Sequence, residues 1–180
     1  DLMALSFFDA NVAVGRPQRA PLYRPLGSPD ALVEYLEFHG LDGALIWHRA
    51  QCDVHPESAN SLLAPYCAAH SGVRVAWALL PPLTTEQDRI VERLTDHQVA
   101  AVRLFPQAHR YLMNAVVWGE LLTTLSDLGI PVMLSLEHAV TWEQVYALLS
   151  DYPDLLCVLC DIGTWSMDRY TYPLLARYPR

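Results

Sequence analysis

In the segment Trp118-Gly119-Glu120-Leu121-Leu122-Thr123-Thr124-Leu125-Ser126-Asp127-Leu128-Gly129-Ile130-Pro131-Val132-Met133-Leu134-Ser135-Leu136 the hydrophobic period changes at Gly129. Before it, Trp118, Leu121, Leu122, Leu125 and Leu128 recur three or four residues apart and share one helical face. Glycine readily adopts the left-handed conformation that closes a helix, and Pro131 then bars continuation. After it, Pro131 to Leu136 is almost continuously apolar, as expected of a strand buried on both faces. One helix followed at once by one buried strand is half of a parallel β/α repeat.

Outward from this segment the same alternation recurs. Apolar, β-branched runs lie at Phe7 to Val14, Gly43 to Trp47, Val73 to Leu80, Val99 to Phe105 and Leu155 to Cys160, with amphipathic stretches between them. Parallel pairing needs crossover connections, and these stretches supply them as helices. Helix ends are marked chemically. The Ser28 hydroxyl caps a segment whose first turn accepts Pro29, and Gly40 closes it. Thr84-x-x-Gln87 and Thr141-x-x-Gln144 have the form of capping boxes. Pro65 interrupts the segment from Ser58 to His70 and predicts a kink or an early stop there.

Strand starts recur at intervals of roughly 30 residues, close to the ~31 per unit of a typical ~250-residue eightfold barrel. The expectation is an α/β fold of (β/α)8 TIM-barrel type, present as an incomplete barrel of about six βα units in one domain, 1–180. The chain starts at Asp1 and stops at Tyr178-Pro179-Arg180, so it is expected to be cut before the last strands. An open barrel has edges, and a homo-oligomer is one way to cover them. A doubly wound sheet is the rival. It would want a Gly-rich turn after the first strand, whereas Gly15-Arg16-Pro17 leads into proline-rich coil.

Composition narrows the function classes. The 180 residues are 52% hydrophobic and 18% charged, enough for a sizeable core, with a net charge of −8 and a pI near 5.2. No basic run or Lys/Arg face suits nucleic acid or an anionic membrane, so a small-molecule substrate is expected instead. Nothing approaches the roughly 18 consecutive apolar residues of a membrane helix. Four cysteines without a preceding secretory pattern favour a reducing cytoplasm.

Phe8-Asp9-Ala10-Asn11-Val12-Ala13-Val14-Gly15 resembles the first strand of the amidohydrolase-related family, whose pattern is Asp-x-His-x-His-x-Gly. The likeness continues through Val102 to Pro106, Gly129 to Ser135, Tyr152 to Leu155 and Cys157 to Gly163. In that family, histidines occupy the positions of Asn11, Ala13, Ser135 and Asp161, so the resemblance implies a divergent member lacking the usual metal ligands. Residues two apart on a strand face the same way, which is how a His-x-His pair holds one metal. The Asn11 and Ala13 side chains offer a weak amide oxygen and nothing. The family also includes metal-independent lactone hydrolases that use arginines and an aspartate.

Barrel chemistry sits at the C-terminal ends of strands. Asp161 at the mouth of the sixth strand is the first candidate for a base, its bland alternative being a cap on the Gly163 turn. Glu137 and His138 follow the fifth strand as acid/base candidates, although neighbours on a strand face opposite ways and one would then be solvated. Arg103, inside an apolar strand, demands a carboxylate or an anionic substrate; Asp161 or Glu137 would make it an ion pair. His48, His109 and Asn11 are substrate-binding candidates, with loop packing as the plainer account of both histidines. Asp161 and His138 are the weak metal candidates, for one zinc or manganese ion or none. Cys157-x-x-Cys160 spans three residues of a strand, which sends the thiols to opposite faces and favours packing over chelation. Trp165 and Arg169 would line a pocket rim or pack between helices.

The resemblance implies hydrolysis of an ester, lactone or amide of a small organic acid. A catalytically inactive barrel that binds a ligand or a protein is the alternative from another class, and a decarboxylase or lyase shares the same fold resemblance.

Overall fold

A computed structural model describes residues 5–16, 25–83, 86–137, 139–163 and 167–179. The chain divides into two compact units, Asp1–Ala78 and Leu79–Arg180.

The first unit runs β1 (Phe8–Val14), α1 (Pro29–His39), β2 (Gly43–His48), a 3-10 turn (Arg49–Cys52), α2 (Pro56–Ser61), α3 (Ala64–Ala69) and β3 (Val73–Ala78). β1 pairs with β2 and β2 with β3, both parallel. Local chemistry sets α1 as expected: the Ser28 hydroxyl accepts from the Ala31 N–H, Pro29 opens the helix, and Gly40 closes it at φ 63°. Leu32 and Leu36, one turn apart on α1, are buried, as are Val12 and Val14 of β1 and Ala44 and Ile46 of β2. Pro65 has the predicted effect. The helix stops at Ser61 and restarts at Ala64 with the proline in its first turn. β1 departs from the expected burial on both faces: Val12 and Val14 are buried, while Phe8 is 51% exposed and Asn11 is exposed.

The second unit runs α4 (Gln87–Asp96), β4 (Ala101–Arg103), α5 (Pro106–His109), α6 (Ala115–Trp118), α7 (Leu121–Asp127), β5 (Val132–Ser135), α8 (Trp142–Asp151), β6 (Cys157–Cys160) and α9 (Asp168–Arg177). β5 pairs in parallel with both β4 and β6. Val132, Met133, Leu134 and Ser135 are all buried, as a central strand covered on both faces requires. The Thr141 box forms in full, with its hydroxyl on the Gln144 N–H and the Gln144 amide on the Thr141 N–H.

Two helices differ from expectation. The face read from Trp118 to Leu128 is split at Gly119, φ 55°, into α6 and α7; Trp118, Leu121, Leu122 and Leu125 are still fully buried, but Leu128 is 50% exposed. Thr84 lies outside the described residues, and α4 begins at Gln87 with no side-chain cap, the Glu86 carboxylate instead accepting from the Leu83 N–H at 3.2 Å. Among the described residues no helix is long and apolar enough to cross a membrane.

Candidate functional site

Register brings three of the polar residues together in the second unit. Arg103 ends β4 beside Met133, and Ser135 ends β5 beside Cys160, so Arg103 and Ser135 sit two steps apart on adjacent strands. Steps of two keep side chains on one face. Asp161 follows Cys160 and would face the other way if the strand continued. It does not continue: Asp161 takes φ 56°, a left-handed conformation that aspartate tolerates better than most residues. Its carboxylate comes back over Ser135, whose hydroxyl donates to Asp161 Oδ2 at 2.5 Å. Arg103 Nη2 lies 3.9 Å from the same oxygen.

Burial separates their roles. Arg103 is 1% exposed and Asp161 27%. The guanidinium therefore stands behind the carboxylate, with its Cζ 6.0 Å from the Phe105 ring centroid, while the carboxylate reaches solvent. Of the two partners expected for Arg103, Asp161 lies within ion-pair distance. The two positions where the family resemblance would place histidines, 135 and 161, are in direct contact.

Asp161 opens onto a cleft of about 650 Å³ lined also by Gln107, Glu137, Trp142, Glu143 and Met167, among others. Glu137 is exposed and sits in a turn, because β5 ends at Ser135; strand alternation therefore does not govern it. The N-terminal turn of α8 forms one wall. Hydrogen bonds from its own N–H and from the Thr141 hydroxyl hold the Glu143 carboxyl below the usual carboxylate range. Trp142 stacks on Tyr170 with centroids 5.2 Å apart and planes 10° apart. The capping box was the sequence signal that could have led to this wall.

Other candidates stand elsewhere. His138 and Trp165 lie outside the described residues. His109 closes α5 with its ring edge-on to Phe105 at 6.3 Å and does not line the cleft, although Gln107 of the same helix does. Sequence reasoning passed over Tyr111, whose hydroxyl accepts the Phe105 N–H at 2.8 Å and fixes the chain as it leaves β4; burial raises its pKa well above the usual phenol. Burial likewise pushes the Cys157 thiol up to about 12, and Cys160 upward, so neither has the thiolate character that redox or metal chemistry needs.

In the first unit, His48 ends β2 and its Nδ1 accepts the Ala50 N–H at 3.1 Å, capping the 3-10 turn. A Cβ on Gly15, which holds φ 88°, would lie 2.6 Å from the His48 ring, so glycine is required there twice over. Burial lowers the His48 pKa. These contacts match the packing account of His48. Asn11 lies exposed on β1, its N–H donating to Asp9 Oδ1, while Asp9 Oδ2 accepts from the Tyr35 hydroxyl. Among the described residues no group of three or more His, Cys, Asp or Glu is placed to hold a metal.

No protein-family model matches the chain, and no curated protein does. Solved structures do. A TIM-barrel protein of uncharacterised function from Bordetella bronchiseptica superimposes with a TM-score of 0.66 at 16% identity, over 97% of this chain and 73% of the other. A probable 2-pyrone-4,6-dicarboxylic acid hydrolase from Acinetobacter baumannii, solved with citric acid bound, superimposes with a TM-score of 0.59 at 14% identity, over 86% of this chain and 57% of the other. At these identities the fold is what is shared: the parallel strands and alternating helices are those of a TIM-barrel protein.

Proposed function

We propose that the chain is a divergent, amidohydrolase-related hydrolase that cleaves an ester, lactone or amide of a small organic acid without the family's usual metal centre. The observation that carries this reading is the Asp161 carboxylate, hydrogen-bonded by Ser135, backed by buried Arg103 and turned toward a cleft by a left-handed backbone. Strained non-glycine positions at strand ends cluster at reactive sites because the surrounding fold must hold them. The similarity to a probable pyrone dicarboxylic acid hydrolase supports hydrolysis as the reaction class.

In this mechanism Asp161 takes a proton from water as that water attacks the acyl carbon, and as the bond from the acyl carbon to the leaving oxygen or nitrogen breaks, that same proton passes to the leaving group, with Glu137, on the same cleft, as its relay. Ser135 and Arg103 are positioning residues. The hydroxyl orients the carboxylate, and the guanidinium balances its charge without reaching the substrate. His138, by its place after Glu137, is a second candidate for the proton return.

The test is a panel of lactones, esters and amides assayed with and without zinc or manganese, comparing the native chain with Asp161→Asn and Ser135→Ala. Asparagine also tolerates the left-handed backbone, so Asp161→Asn is expected to leave the Tm nearly unchanged while turnover falls by at least the ~10²-fold typical of a lost general base. Ser135→Ala is expected to keep activity at about a tenth. Turnover unchanged in Asp161→Asn would end the assignment. Ligand-induced stabilisation of the native chain with no turnover of any substrate would favour a binding protein instead.

A further inference from the structure

We propose that Tyr111 is a positioning residue of the candidate site: by holding the Phe105 amide it fixes the end of β4 from which Arg103 faces Asp161. The effect on turnover rests on the hydrolase reading, whereas the positioning itself rests on the geometry of the second unit.

β4 is three residues long, Ala101–Arg103, and Arg103 is its last. The backbone hydrogen bonds at that end are long. The Arg103 carbonyl accepts the Leu79 N–H at 3.4 Å and the Met133 carbonyl accepts the Leu104 N–H at 3.4 Å, both beyond the roughly 2.7–3.2 Å of a well-formed bond. The next amide, that of Phe105, is held by a side chain instead, the Tyr111 hydroxyl at 2.8 Å. α5 makes this reach possible: its single turn, Pro106–His109, is closed by Arg110 at φ 57°, a conformation uncommon outside glycine, and the chain folds back to bring Tyr111 to the strand end. The Tyr111 ring is fixed in turn, edge-on to the fully buried Trp118 with centroids 5.4 Å and planes 79° apart. Burial raises the phenol well above its ordinary range, so the hydroxyl stays neutral at any pH an assay would use.

Phe105 passes this restraint to Arg103. The Arg103 Cζ lies 6.0 Å from the Phe105 ring centroid, and the His109 ring stands edge-on to the same ring at 6.3 Å. Arg103 Nη2 reaches Asp161 Oδ2 at 3.9 Å, so close to the ~4 Å limit of an ion pair that a small displacement of the strand end takes the two out of range.

Tyr111→Phe keeps the ring against Trp118 and removes only the oxygen. Tyr152→Phe is the control, because it removes another phenol of the second unit, one that donates to the Gly119 carbonyl at 2.6 Å between two helices. Two readouts need no substrate. Deuterium exchange at the Phe105 amide is expected to be slow in the native chain and to speed up on the order of tenfold in Tyr111→Phe, the scale of one lost hydrogen bond. The Arg103 Nε–H resonance in a proton–nitrogen correlation spectrum is expected to move or broaden in Tyr111→Phe and to stay in place in Tyr152→Phe. With a substrate from the hydrolase panel, kcat in Tyr111→Phe is expected to fall about tenfold with KM within about twofold of native, since misplacing a group costs rate rather than binding. Tyr152→Phe is expected to keep kcat within about twofold. If Tyr111→Phe does not fold, Trp118→Phe, which loosens the ring and keeps the hydroxyl, is expected to move the Arg103 resonance in the same way, and no movement there overturns the proposal. Signals at Phe105 and Arg103 that respond to Tyr111→Phe, with no substrate turned over by the native chain, leave the positioning standing and remove the hydrolase reading. Turnover lost in Asp161→Asn but unchanged in Tyr111→Phe overturns the positioning and leaves the hydrolase reading intact. Fast exchange at Phe105 in the native chain, an Arg103 resonance indifferent to Tyr111→Phe, or an equal loss of kcat in the two tyrosine variants also overturns it.

Discussion

Cys157 shows how a single side chain in the second unit links burial to pH. Its thiol is pushed from an ordinary 9.0 up to about 12 by desolvation first and by the neighbouring Cys160 second. A group whose folded pKa lies above its unfolded value holds its proton more tightly in the native state. Its stabilising contribution is therefore complete below about pH 9, the unfolded value, and is lost as pH rises toward 12. The expected result is an unfolding midpoint that falls between pH 9 and pH 12, with the fall reduced in Cys157→Val. Urea titrations at stepped pH check it, and an identical pH dependence in the variant would show that another group is responsible. The same burial makes Cys157 slow toward thiol reagents at pH 8, since the thiolate is the reacting form.

At the scale of elements, the most consequential polar contact in the first unit pins α2 to the end of β3. Asn60 Oδ1 accepts the Ala78 N–H at 2.9 Å and Gln51 Nε2 at 2.8 Å, Asn60 Nδ2 donates to the Ala78 carbonyl at 2.9 Å, and Gln51 Nε2 also reaches the Ala76 carbonyl at 3.0 Å. Both side chains are buried, Gln51 at 0% and Asn60 at 6% exposure. Asn60→Ala strips partners from several buried groups at once, and at about 1–3 kcal/mol for each group left unsatisfied the expected loss of stability is roughly 2–4 kcal/mol. Hydrogen exchange at the Ala78 amide gives the direct readout: protection should collapse there before it changes at Val132 in the second unit. Unaltered exchange at Ala78 would mean that water replaces the asparagine without cost. None of this clamp was legible in the sequence, because it depends on which strand end a helix happens to face. What was legible is local. Ser28, Gly40, Thr141 and Pro65 act within a few residues of themselves, and each has the predicted effect. The strand runs were found for the same reason, although β4 shrinks to Ala101–Arg103 because the backbone leaves the extended region by Phe105, at ψ 67°. The meeting of Ser135 with Asp161 required two things periodicity does not carry, the register of β5 against β6 and a left-handed turn at a non-glycine residue.

For the molecule as a whole, the question is whether a metal belongs to it, and the donor set bears on that directly. The four positions at which the family resemblance expects histidines hold Asn11 and Ala13 in the first unit and Ser135 and Asp161 in the second. Ser135 and Asp161 satisfy each other at 2.5 Å, and Asp161 also faces Arg103, a cation where a metal site would place a second cation of like sign. A stable divalent site wants three or four hard or imidazole ligands, and the described residues gather no such group. Zinc or manganese added to the metal-free protein is therefore expected to leave the Tm within about a degree. By contrast, a ligand present at a hundred times its Kd would stabilise the native state by about 2.7 kcal/mol, which corresponds to several degrees in a chain of this size. Turnover should survive a chelator at the same level as before. Stoichiometric metal that co-purifies with the chain, together with turnover lost to the chelator and restored by one ion, would overturn the metal-independent mechanism. It would direct the search for ligands to Asp161 and to His138, whose place in the sequence is next to Glu137 at the cleft.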